Sequence, residues 1–274
     1  TLPASKTILL NDSGTVDIDG NLDVDGGTIK LDGNYPTGTN NVALGNTALD
    51  DGSLSGGYNT AIGSQSLTSN TSGVNNVGLG FNSLASNTTG DRNVSVGTSS
   101  LDANTSGCYN VSIGDNSLGT NTTGTQNVAI GKDALLSNTT ADDNTAVGYA
   151  SLYANTTGQF NAAIGKLALC SNTTASNNTA LGNASLKSNT TGTANTGLGR
   201  SALSANTTAD NNTAVGAYAM QTNSTGTNNV AMGYDALRAN TTASNNTAIG
   251  LSALQENTTG GSNTAVGLES LCAN

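Results

Sequence analysis

Residues 144–160 read NTAVGYASLYANTTGQF and residues 161–177 read NAAIGKLALCSNTTASN, so apolar and polar positions return together at a fixed distance. A reference glycine closes each AVG- or AIG-like triplet. It stands at Gly45 and Gly63, one step of 18 apart, and then every 17 residues to Gly267. Asparagine always lies four residues before it, from Asn41 to Asn263. Val, Ile, Leu or, once, Met232 directly precedes it. Leucine lies four residues after it in every unit except that of Met220. Seven residues after it comes a second asparagine, replaced only in the first unit by Gly52. No insertion interrupts the array after Gly63, which is the constraint expected when each unit stacks directly on its neighbour.

The pattern predicts short strands. In NTAVG, alternation puts Thr or Val and the residue before the glycine on one side, and Asn and Ala on the other. Glycine then permits a corner. ASL or SAL is expected to form a second short strand carrying the leucine, and NTTG or NTTA the next corner. A helical reading of SALSAN is disfavoured, because the segment spans under two turns and is bounded by Gly and Asn-Thr-Thr. The expected fold is all-β: a repetitive parallel β-solenoid or β-roll of 17-residue repeats. An array of fourteen repeats (residues 37–274) follows an acidic, β-rich N-terminal cap or adaptor (residues 1–36). Stacked at about 4.8 Å per coil, fourteen one-turn units would extend about 65 Å. From unit to unit, the residue ten places after the glycine alternates: Gly124, Ala141, Gly158, Ala175, Gly192, Ala209 and onward. This fits either a duplicated pair of units or a turn built from two units.

The thin interior is expected to take one aliphatic from AVG, one Leu and a Thr or Val from each coil. The two asparagine columns are expected to be amide ladders at the corners. The residue at the centre of the triplet is Ala, Ser or Gly throughout, as at Ala43, Ala61, Gly78, Ser95 and Ala146. So small a stripe on the opposite face predicts close packing between parallel copies, and hence a parallel homotrimer.

Composition narrows the partners. The chain has 274 residues, 35 glycines, no tryptophan and no histidine, with 3% aromatic and 9% charged residues. A conventional core of this size would draw on more large side chains. A net charge of −10 argues against nucleic acid, which needs a basic stripe, and against an anionic membrane surface. No run of 18 apolar residues predicts a membrane span. Residues 14–34 alternate aliphatics with Asp17, Asp19, Asp23, Asp25 and Asp32. This is read as a solvated acidic face, with calcium as the alternative.

Candidate chemistry is sparse, and no catalytic, cofactor-binding or metal-binding residue is assigned. The lack of histidine excludes imidazole triads and zinc–histidine sites. Asp142 and Asp143 are adjacent on a turn, with no cleft for paired-carboxylate glycoside hydrolysis. Cys108, Cys170 and Cys272 are too scattered for a disulfide framework; Cys170 and Cys272 share a repeat position and read as buried small hydrophobes. Asn87, Asn104, Asn138 and Asn155 match the N-glycosylation acceptor but read as corners. Thr columns suggest an ice-binding solenoid, with Asn155 and Thr157 able to share a face while the adjacent Thr156 and Thr157 cannot.

NTAVGYASL, NTAIGLSAL and NVALGNTAL resemble the head repeats of trimeric autotransporter adhesins. They more closely resemble the NTAxGxxAL…NTTG arrays of bacteriophage tail-fibre and virion structural proteins. The leader VDIDGNLDVDGGTIKLDG is similar to segments preceding such arrays. The resemblance covers nearly the whole chain, although the 17-residue spacing is longer than that of the adhesins. It implies a non-enzymatic fibre or adhesin rod in a virion or at a cell surface, assembled as a parallel homotrimer. Other fibre or virion proteins would meet its ends, and a cell-surface glycan or protein would be its receptor. An ice-binding solenoid and a self-assembling extracellular filament are the alternatives.

Overall fold

The computed structural model describes residues 38–273. The acidic segment read as a cap or adaptor, with its calcium alternative, lies outside the described residues. The fold is an all-β parallel solenoid. Fourteen three-residue strands run from β1 (Val42–Leu44) to β14 (Thr264–Val266), one per repeat. Each is hydrogen-bonded to the next in a single sheet whose spatial order is the chain order. Thr145 pairs with Ala162 and Ala162 with Thr179, so one 17-residue unit makes one complete turn. Among the described residues there is no helix.

The expected second strand does not form. ASL and SAL are turns, because left-handed residues interrupt them. The leucine, or Met220 in its place, is left-handed in every coil, with φ of 52° at Leu135, 49° at Leu152 and 50° at Leu169. So is the residue two before it, such as Ala150 at 51°. A non-glycine residue in this region costs roughly 1–2 kcal/mol. Stacking offsets the cost: Leu169 N–H donates to Ser185 O in the next coil at 3.0 Å, and the Leu169 side chain is completely buried. Ala194 tests this account, since it is exposed and left-handed with φ of 55°. Ala194→Gly removes the Cβ penalty without losing packing. It is expected to raise the stability of the rod by up to about 1 kcal/mol, read as an upward shift of the denaturant midpoint.

The alternation over 34 residues is a pairing of coils, not a two-unit turn. In the alanine coils the residue after the alanine is Asp142, Ser176, Asp210 or Ser244. Its side chain accepts the backbone N–H of the same position in the preceding glycine coil. Thr125 donates to Asp142 Oδ1 at 2.7 Å, Gln159 to Ser176 Oγ at 3.0 Å, Thr193 to Asp210 Oδ1 at 2.6 Å and Thr227 to Ser244 Oγ at 3.0 Å. The glycine coils need glycine because a Cβ on Gly158 would lie 2.2 Å from Ala175 O.

Candidate functional site

The orientation of the strands decides which face is free. The centre residue of each triplet points inward: Ala129, Ala146, Ala163 and Ala214 are fully buried. The residues either side point outward, reversing the expectation that they fill the core. The cause is the width of the coil. The column of leucines from the opposite wall already occupies the interior, as shown by Gly197, where an added Cβ would meet Ser185 Oγ at 2.5 Å and Leu186 Cγ at 3.3 Å. Only Ala, Ser or Gly fits beneath that leucine. The small stripe is therefore core, and the predicted interface through it is corrected. In its place a column of large aliphatics runs along the outside of the sheet. Ile62, Ile130, Ile164 and Ile249 are between 36% and 41% exposed, and Leu181 is 48% exposed. Thr and Val side chains, with Ala162 in one coil, run parallel to it two residues earlier on each strand and are mostly half-buried.

The asparagines face the other way. Both columns are buried and converge on one carbonyl per coil: Gly158 O accepts from Asn144 Nδ2 at 2.8 Å and from Asn155 Nδ2 at 2.9 Å. Along one column each side-chain oxygen accepts from the next amide, as Asn155 Oδ1 does from Asn172 Nδ2 at 2.9 Å. Along the other, each accepts the next backbone N–H, as from Asn161 to Asn144 Oδ1 at 3.0 Å. Asn87, Asn104, Asn138 and Asn155 are fully buried, so a transferase would have no access to these amides in the fold. Asn155 and Thr157 do not share a face, because Asn155 is buried and Thr157 exposed. The Thr156 hydroxyl donates to Thr173 O at 3.0 Å. The shared face read for Asn155 and Thr157 at this corner is therefore not formed.

Cys108, Cys170 and Cys272 are free thiols and partly exposed, which corrects the expectation of buried residues for the last two. Cys108 Sγ instead accepts the Asp91 N–H at 3.3 Å. Among the described residues no group of His, Cys, Asp or Glu could hold a metal ion, and no helix is long and apolar enough to cross a membrane. Burial pushes the Asp102 carboxyl up, against bonds from its own and the Ala103 backbone. The hydrogen bond that Lys132 donates to Asp115 raises Lys132, and the Ser53 hydroxyl and N–H lower Asp51. Comparison with protein-family models, curated proteins and solved structures finds no match.

Proposed function

We propose that the chain is a non-enzymatic structural rod. In this reading it is part of a virion fibre or surface adhesin and works as a parallel homotrimer that spaces or presents an attachment function. The observation that carries the reading is the outward aliphatic column, in register along fourteen parallel strands. At about 4.8 Å per strand the column is about 60 Å long. A continuous exposed apolar stripe of this kind is the type of patch that marks an interaction surface. A second copy in the same direction presents the same period and can match it strand for strand. The resemblance of NTAVGYASL-type units to trimeric fibre repeats supports three copies about one axis. Low charge, buried amide ladders and uninterrupted register suit a stiff spacer. Fibre or virion proteins at its ends and a cell-surface receptor complete the reading.

Light scattering on the purified chain tests it. The expected mass is three times the 27.0 kDa of one chain. The double variant Ile130→Lys/Ile164→Lys places charge on the column without touching the core. It is expected to reduce the mass to that of one chain while the circular dichroism of the coils persists. A monomeric wild type, or a variant that stays trimeric, overturns the assignment of this face.

A further inference from the structure

Beyond the corner glycine from each strand, a second exposed surface has a different chemistry. It is built from the residues one and five places after the glycine. From Gly148 to the coil of Gly233 these two positions hold no acid, in a chain of net charge −10 with only eight basic residues. Four of those eight, Lys166, Lys187, Arg200 and Arg238, are exposed here. Tyrosines lie between them. Lys166 Nζ lies 5.9 Å from the Tyr149 ring centroid. Arg200 and Arg238 Cζ lie 5.2 and 5.7 Å from that of Tyr218. Tyr234 meets the Tyr218 ring edge-on at 5.8 Å and is 51% exposed. A shallow hollow beside Tyr149, Tyr153 and Leu167 extends the surface.

Lys166 and Arg200 are not neutralised, whereas Arg238 is ion-paired with Asp235. Among the described residues Lys166 and Arg200 form no ion pair. Arg238 donates to Gln221 Oε1 at 3.2 Å and to Asp235 Oδ2 at 3.3 Å. Asp235 Oδ1 is buried with no hydrogen-bond partner. That is a costly arrangement which the architecture does not demand, since the same position is Asn116, Ala150, Ala184 or Ser201 in other coils. Lys132, by contrast, is paired with Asp115 at 2.5 Å and bounds the surface.

We propose that this strip binds a linear acidic polysaccharide, with carboxylates on the cations and pyranose faces on Tyr149 and Tyr234. This deepens the attachment reading and rests on it. Lys166 and Arg200 occupy the same position two coils apart, about 10 Å at about 4.8 Å per coil, with Lys187 at the second position of the coil between them and Arg238 at that second position two coils beyond Arg200. That spacing suits a polymer with one carboxylate on every second sugar. Guanidinium forks match carboxylates, and the flat exposed tyrosine faces suit the C–H faces of sugars. Nucleic acid fits less well, because its charge is much denser, one per roughly 1.7 Å of duplex, than the sparse cations of this strip.

The probe is a hexasaccharide of alternating glucuronic acid and N-acetylglucosamine, compared by calorimetry with its carboxyl-reduced counterpart. The expected result is saturable, salt-sensitive binding of the acidic probe, at least tenfold weaker for the reduced one. Lys166→Gln/Arg200→Gln is expected to weaken binding at least tenfold with an unchanged unfolding midpoint. No saturable binding, equal binding of the reduced probe, an unaffected double variant, or tighter binding of a thymidine oligonucleotide overturns the proposal. Light scattering on the same samples separates the two failures: a trimer without binding sinks this inference, whereas a monomer sinks the trimeric rod.

Discussion

Gly165→Ala is expected to destabilise the rod by about 3–5 kcal/mol, combining backbone strain with overpacking. The glycine has φ of 135°, where side chains are strained, and an added Cβ would lie 2.5 Å from Gly182 O of the next coil. That obstacle is backbone and cannot rotate away, so either the carbonyl moves and the adjoining strand pair loosens, or the corner opens. Gly52→Ala is the control: Gly52 is exposed, and nothing lies within 4 Å of where its Cβ would be. Its effect is expected to stay within about 0.5 kcal/mol. Guanidinium unfolding followed by circular dichroism measures both. Equal midpoints for the two variants would refute the claim that the glycine column is set by coil-to-coil contact.

The asparagine ladder predicts a loss of similar size with a pH signature. Asn155 Nδ2 donates to Asn138 Oδ1 at 3.1 Å and to Gly158 O at 2.9 Å, and its Oδ1 accepts from Asn172. Asn155→Ala leaves Asn138 Oδ1 without that donor in a dry interior, at an expected cost of about 3 kcal/mol. Asn155→Asp is expected to be worse at neutral pH, because a carboxylate would then face two acceptor oxygens. The fold favours the protonated acid, so the folded pKa lies above the unfolded value of about 3.9. Stability of that variant is therefore greatest below the unfolded value and is lost as pH rises towards the folded one. Midpoints measured at pH 3 and pH 7 separate this from simple loss of a hydrogen bond. In a stacked array the damage should stay local, so limited proteolysis is expected to cut near the altered coil first.

Most of the architecture is legible in the spacing. The fixed interval from Gly63 to Gly267 permits only directly stacked units, and each three-residue strand falls on its triplet. The buried amide role of the asparagines also follows from their periodicity, because identical amides one coil apart can donate and accept in series. Readings that fail here share a reason: each depends on the width of the coil or on the handedness of individual residues. ASL looks extended by composition, but Leu152 at φ of 49° and Ala150 at 51° wind it tightly. Asn155 and Thr157 look like strand neighbours, but the corner turns one inward and leaves the other outside. The free strip around Lys166, Arg200 and Arg238 escapes a linear reading, because residues 34 or more apart in sequence become neighbours only when coils stack.

The sequence by itself determined the repeat length, the direct stacking and the polar columns, since periodicity records which side chains must repeat at each level, but it left a turn of one unit or of two open until strand pairing showed one. It left the inward and outward faces of the strands undecided. Alternation states only that Ala146 and Val147 lie on opposite sides of a strand, and hydrophobicity favours the larger of the two for the core. Tertiary structure decides otherwise: Leu152 and its counterparts in neighbouring coils fill the narrow interior, so there is volume opposite them for alanine and none for valine or isoleucine.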